Sequence, residues 1–125
     1  MRAFHHVDLW VDDVDRAENE WGWLFGACGW LREEGMRSWL HPDGTYLFME
    51  HSPDQHDEHD RLRPGINHLA LTCESREDLD RIRHECSGHG WSEMFADRYP
   101  HAGGEGHVAL YVENSEGFEV EIVVD

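Results

Sequence analysis

An internal repeat constrains this chain more than any other feature. His6-Val7-Asp8-Leu9 near the start is matched by His68-Leu69-Ala70-Leu71 in the second half, each a histidine opening a short apolar strand. Seven residues on from each histidine stands a helix-capping type, Asp13 and Ser75. A Gly-Trp pair, Gly29-Trp30 and Gly90-Trp91, then closes each helical stretch. Further along, each copy passes a turn glycine into a strand that ends in or near a glutamate, Gly44 to Glu50 and Gly117 to Glu121. Two copies of one β-α-β-β-(β) unit are therefore expected, each carrying a histidine and a carboxylate.

Local patterns fill in the units. Val7, Leu9 and Val11 alternate with His6, Asp8 and Trp10, the period of a half-buried strand. Ala17, Trp21 and Leu24 fall on one helical face. Strands are expected around Arg37 to Leu40 and over Thr45 to Glu50, with a turn at His41-Pro42-Asp43-Gly44 between them. In the second copy, Ile66 to Cys73 reads as a strand and Ser75-Arg76-Glu77-Asp78 as a capping box. Leu79, Ile82 and Cys86 continue a helix, and Val108 to Val112 and Phe118 to Val124 are strands joined by a turn. These boundaries make one domain over 1–125: module one at about 1–52, a linker at about 53–64, and module two at about 65–125. His51, His56 and His59 fall in or beside a Pro-punctuated polar stretch, which reads as a solvated loop without fixed ligand geometry.

Composition narrows the chemistry. All ten basic residues are arginine, so Schiff-base chemistry and a lysine nucleophile are excluded. With 27 acidic residues and a formal net charge of −17, nucleic acid is an unsuitable partner, because phosphate binding needs a basic face. No apolar run reaches the roughly 18 residues of a membrane span. The N-terminal residues lack a signal-peptide pattern, and a cytoplasmic location is expected. Cys28, Cys73 and Cys86 show no CxxC spacing and read as core thiols.

Strand parity points to a site. If Val7, Leu9 and Val11 face a covering helix, His6 and Trp10 face the open side, whereas His5 aims at the helix layer. The same reasoning places His68 on the open side, with Tyr46, Phe48 and Glu50 in one strand and Glu119 and Glu121 in another. Two imidazoles and two carboxylates suit a divalent transition metal such as Ni, Zn, Co, Mn or Fe.

The stretches His6-Val7-Asp8-Leu9-Trp10-Val11-Asp12-Asp13, Ile66-Asn67-His68-Leu69-Ala70-Leu71 and Glu116-Gly117-Phe118-Glu119-Val120-Glu121-Ile122 resemble the vicinal oxygen chelate superfamily over essentially the whole chain. That group includes glyoxalase I, fosfomycin-resistance thiol transferases, bleomycin-binding proteins, methylmalonyl-CoA epimerase and extradiol dioxygenases. The resemblance implies an α+β fold of two tandem βαβββ modules, whose curved mixed sheets enclose a metal-binding cavity. It implies His6, His68 and Glu121 as metal ligands, with Glu50 matching the fourth ligand of glyoxalase I. The expected function is then a metal-dependent lyase or isomerase of the glyoxalase type, acting on a small oxygenated metabolite. In that reading Glu121 or Glu50 moves the proton. No glutathione-binding set is recognisable, so the hemithioacetal substrate of glyoxalase I is not carried over.

The alternatives are a metal-independent, bleomycin-resistance-type binding protein, which Trp10, Tyr46 and Phe48 would suit, and an Fe(II) extradiol-type dioxygenase. In Asp97-Arg98-Tyr99-Pro100-His101-Ala102-Gly103-Gly104, Arg98 is expected to hold a substrate carboxylate, and Tyr99 or His101 to donate hydrogen bonds above the metal. Members of this size commonly dimerise, so a homodimer acting on a small-molecule substrate is expected, with neither nucleic acid nor membrane as partner.

Overall fold

In each half of the chain a histidine-led strand pairs in parallel with the strand of that half richest in glutamate or aromatic residues. The computed structural model describes all 125 residues, which divide into two compact units, 1–58 and 59–125. The fold is α+β, with two helices and two four-stranded mixed sheets.

The first unit comprises β1 (His6–Trp10), α1 (Val14–Ala27), β2 (Leu31–Arg32), β3 (Ser38–Leu40) and β4 (Tyr46–Glu50), in sheet order β1-β4-β3-β2. The β1–β4 pair is parallel and the others are antiparallel. The Asp13 side chain caps α1 by accepting from the Arg16 amide at 3.1 Å. Ala17, Trp21, Leu24 and Phe25 then turn one face inward against Trp39, Leu47 and Met49, all buried.

The second unit comprises β5 (His68–Cys73), α2 (Arg76–Glu85), β6 (Ser92–Met94), β7 (Ala109–Glu113) and β8 (Glu119–Val124), with 3-10 turns at Cys86–His89 and Ala96–Arg98. Its sheet order is β5-β8-β7-β6, again with a parallel first pair. The core is Leu79 and Ile82 of α2 with Trp91, Leu110, Val112, Val120 and Ile122. Of the expected capping box the N-cap half forms: Ser75 Oγ accepts from the Asp78 amide at 3.1 Å, and Asp78 Oδ2 accepts from the Ser75 hydroxyl at 2.8 Å. Ser75→Ala is expected to cost about 1 kcal/mol, read as a lowered urea midpoint at unchanged slope.

The edge strands β2 and β6 complete the βαβββ plan that the resemblance implies, although no residue pattern locates them. They are two and three residues long, too short for a period of two to register. All three cysteines are buried and form no disulfide, and burial pushes the Cys73 and Cys86 thiols above their usual range.

The expected solvated loop is in fact anchored. His51 Nδ1 lies 3.1 Å from the Val11 carbonyl and 2.9 Å from that of Asp12, so it donates there. Gln55 Nε2 donates to the Val11 carbonyl as well, at 3.1 Å. In the other unit, the His59 ring lies flat on Phe118, with centroids 3.8 Å apart and planes 7° apart. The His59 Nε2 atom is buried without a hydrogen-bond partner. His56 is exposed, and its ring makes no such contact.

Burial holds the His59 ring below the usual imidazole range, and the opposing pull of Asp60 and Glu116 does not offset it. The folded state therefore binds fewer protons there than the unfolded chain. Stability from this residue is complete above the unfolded pKa of about 6.5 and is lost as the pH falls below it. His59→Phe keeps the stack and removes the proton. Its unfolding free energy should depend less on pH than that of the native protein between about pH 7 and pH 5. Parallel curves for the two proteins would contradict this.

Candidate functional site

The densest group of reactive side chains lies in the second unit, on the face of its sheet opposite Leu110, Val112, Val120 and Ile122. The register pairs His68 with Glu119, Ala70 with Glu121, and Tyr111 with Glu121. Alternation brings His68, Glu121 and Tyr111 onto this face together. His68 Nε2 is 3.2 Å from Glu121 Oε1, and His107 Nε2 contacts Glu121 Oε2. The Tyr111 hydroxyl also bonds to Glu121. Burial, then the Glu121 charge, push its pKa above the usual phenol range. Glu121 is only 6% exposed, so its charge is answered by these neighbours rather than by bulk water.

His68 is held at both nitrogens. Its Nδ1 is 2.7 Å from Asn67 Oδ1, while Nε2 faces the Glu121 carboxylate. Both contacts are to oxygen acceptors, and a neutral imidazole has a single N–H. The ring satisfies both only with a second proton or with a cation beside Nε2. One imidazole and one carboxylate demanding positive charge between them are donors that fit a divalent metal. No group of three or more His, Cys, Asp or Glu side chains is already gathered for a metal in either unit.

His107 was missed in the sequence, where its stretch reads as loop. The available signal was parity, since residues 107, 109, 111 and 113 share one face if the strand is extended backward.

The loop before His107 lies close over the cluster. A Cβ added at Gly103 would come within 2.6 Å of His107 Cδ2 and 2.7 Å of the Tyr111 hydroxyl oxygen. His101 does not enter the cluster through its ring. Its Nδ1 lies 3.3 Å from the His107 carbonyl, so it braces the loop from outside. Arg98 sits 4.9 Å over the Phe95 ring, and Phe95 meets Tyr111 edge-on at 5.6 Å. Seven of the ten arginines pair with carboxylates, and Arg98 is not among them. Phe95 is 40% exposed and holds a left-handed φ of 58°, a costly state for an aromatic residue.

Tyr99 departs from the expectation. Its hydroxyl donates to Asp80 Oδ1 at 2.6 Å, and Arg83 and Arg76 lie over its ring at 4.0 and 5.4 Å. All three partners belong to α2, so Tyr99 is turned to the helix side and is no donor on the open face. Burial, then Asp80, push its pKa up to about 12. The alternation of charges at Arg76, Asp80 and Arg83 made this docking place, which the loop's own sequence does not reveal.

In the first unit, His6 stacks on Tyr46 with centroids 4.9 Å apart and planes 10° apart. With Ser38, Leu40 and Phe48 they line a cavity of about 440 Å³. Trp10, on the same face, donates its indole N–H to Asp8 at 3.3 Å.

Glu50 does not stand beside His6 in the first sheet. His6 pairs with Tyr46 and Trp10 with Glu50, which puts Glu50 four residues farther along, about 13 Å in the strand direction. Its neighbour is instead Asp8. Burial and that second carboxyl hold Glu50 above the usual carboxylate range. In the second sheet Glu121 stands two residues past the partner of His68, and the same offset in the first sheet falls on Phe48. Parity identified the correct face, but it carries no information on position along the strand.

The comparisons agree with this architecture. A family model described as the Glyoxalase/Bleomycin resistance protein/Dioxygenase superfamily matches residues 5–111. The uncharacterized protein YqjT of Bacillus subtilis (strain 168) is 32% identical over 123 residues, covering 95% of this chain and 96% of its own. The crystal structure of a glyoxalase candidate from Bacillus halodurans superposes with a TM-score of 0.87 at 34% identity, covering 98% of this chain and 96% of that one. A glyoxalase/bleomycin resistance protein from Albidiferax ferrireducens T118 shares the fold at a TM-score of 0.72 and 14% identity, over 99% of each chain. The family match spans most of the chain and the repeated histidine-led modules carry it, so this protein belongs to the glyoxalase/bleomycin resistance protein/dioxygenase superfamily.

Proposed function

We propose that this chain is a metal-assisted acid–base enzyme acting on a small oxygenated metabolite, with its chemistry centred on His68, Glu121 and His107. The observation that carries this is the doubly faced His68 ring, which shares with His107 a nearly buried carboxylate. His68 Nε2 and Glu121 Oε1 would hold a divalent ion, with Ni, Zn, Co, Mn or Fe all compatible with these donors. When bound, the ion would polarise a substrate carbonyl and stabilise the negative charge that develops on its oxygen. The protein's own groups do the rest. Glu121 takes the proton from carbon at Oε2, His107 Nε2 shares it across their contact, and it returns to the neighbouring carbon or oxygen of the same substrate. Tyr111 supplies a hydroxyl that burial keeps protonated. Arg98, left without a carboxylate of its own, offers a bidentate partner for an acid group on the substrate.

The test is hydrogen–deuterium exchange at carbons next to a carbonyl, followed by proton NMR in D₂O over a panel of 2-oxo and 2-hydroxy acids. Exchange that needs the protein and stops with a chelator is expected. A complete lack of exchange with every metal would contradict the reading.

A second reading is favoured by Phe48, which stands where a fourth, glyoxalase-type carboxylate would be. It is an Fe(II)-dependent, oxygen-consuming reaction, and dioxygen uptake by the iron-loaded protein with a catechol probe would select it.

A further inference from the structure

Two residues of the second unit that touch no reacting position determine how His68 is presented. Asn67 Nδ2 donates to the Arg61 carbonyl at 3.0 Å, which settles the orientation of the amide. The atom 2.7 Å from His68 Nδ1 is therefore the amide oxygen. An amide oxygen only accepts, so Nδ1 carries the proton of that contact. Arg61 is itself fixed. Its guanidinium donates to the Gly117 carbonyl at 2.9 Å and pairs with Glu113 at 2.8 Å and Glu119 at 3.4 Å. Those partners lie on β7, on β8 and in the turn between them, the hairpin that also delivers Tyr111 and Glu121. One arginine thus ties the segment before β5 to the hairpin that carries the carboxylate.

We infer that Arg61 and Asn67 are positioning residues that lock His68 with Nδ1–H toward Asn67 and Nε2 toward Glu121, presetting that nitrogen to bind a divalent cation. Left to itself, a histidine at a strand start samples either tautomer and rotates about its terminal torsion. Here the ring orientation is set before any cation arrives, and a cation that takes the place of a proton at Nε2 leaves Nδ1–H as the one tautomer. The metal arm rests on the function proposed above, and the arrangement of the ring does not.

The experiment uses the full-length protein with ¹⁵N-labelled histidine, with and without added Zn²⁺, and compares native protein, Asn67→Leu and Asn67→Asp. The native protein should give a slowly exchanging His68 Nδ1–H signal in both states. Asn67→Asp keeps an acceptor at this position, so it should retain the signal and bind zinc within about threefold of native. Asn67→Leu should lose the signal and bind zinc roughly 10- to 100-fold more weakly, the usual cost of losing such a partner. A circular dichroism spectrum that matches native for Asn67→Leu separates this from misfolding. Arg61→Gln should weaken the same signal without removing any group from the reacting face.

An unaltered Nδ1–H signal in Asn67→Leu overturns the inference. Native protein that takes up no zinc while its Nδ1–H follows the predicted series would overturn the metal reading and leave the positioning role standing.

Discussion

Glu121→Gln is expected to lower kcat by about 10³-fold while leaving the fold and its melting temperature nearly unchanged. Glutamine keeps the volume and planar shape of the side chain, so packing between β5 and β7 is conserved. What it loses is the charge and one acceptor. In the native protein Oε1 faces His68 Nε2 and Oε2 faces His107 Nε2. An amide can meet only one of these with an oxygen, and it turns an N–H toward the other. The proton path through Glu121 and His107 is broken, and the remaining rate comes from binding and polarisation alone. Turnover within about tenfold of native would assign the base to another group, with His107 the first to test by His107→Gln. The same substitution separates the two functional readings. An oxygen-consuming reaction depends on Glu121 chiefly for metal retention, so saturating Fe(II) would restore much of its rate.

The second large effect is expected from a single methyl group. Gly103→Ala places a Cβ 2.6 Å from His107 Cδ2 and 2.7 Å from the Tyr111 hydroxyl oxygen, far inside van der Waals contact. Gly103 needs no left-handed backbone, so alanine meets no conformational penalty at that position. Both clashing atoms lie on side chains at an accessible face, and they can move aside at small cost. Stability should therefore change by less than about 1 kcal/mol. Activity should fall by roughly 10²-fold, because displacement of a catalytic group by about 1 Å costs that much. Gly106→Ala is the control. It lies in the same loop, a Cβ there meets nothing, and it should retain full activity. Equal losses in both variants would mean that the loop acts through its flexibility rather than through contact with His107 and Tyr111.

How much of this was legible in the sequence differs between fold and site. The repeat, the two capped helices and the histidine-led strands were all readable, because each rests on a local period or a capping chemistry that neighbouring residues carry. Asp13 and Ser75 cap as expected, and Ala17, Trp21 and Leu24 turn inward together. The positions of the edge strands at Leu31–Arg32 and Ser92–Met94 were not readable, although the βαβββ plan called for them, since pairing with a neighbour rather than pattern creates them. The faces of His68 and Glu121 followed from parity. The distance from Glu50 to His6 did not, because it depends on the register between β1 and β4. For the same reason Tyr99 leaves the open face and His107, assigned no role from the sequence alone, joins it. Which side of a sheet a loop returns on is decided by partners such as Asp80 and Glu121, far away in sequence. His59 shows the same limit, since an acidic linker gives no hint of the aromatic ring that receives it.

The claim that His68 and Glu121 share a cation is tested most directly by elemental analysis of tag-free protein reconstituted with Mn, Fe, Co, Ni or Zn. The comparison is a His68→Ala/Glu121→Ala double variant of matching circular dichroism. Retention of about one equivalent of a divalent metal by the native protein, and its loss in the double variant, is the predicted result. Folded native protein that holds no metal after reconstitution, or a double variant that holds as much as native, would contradict it.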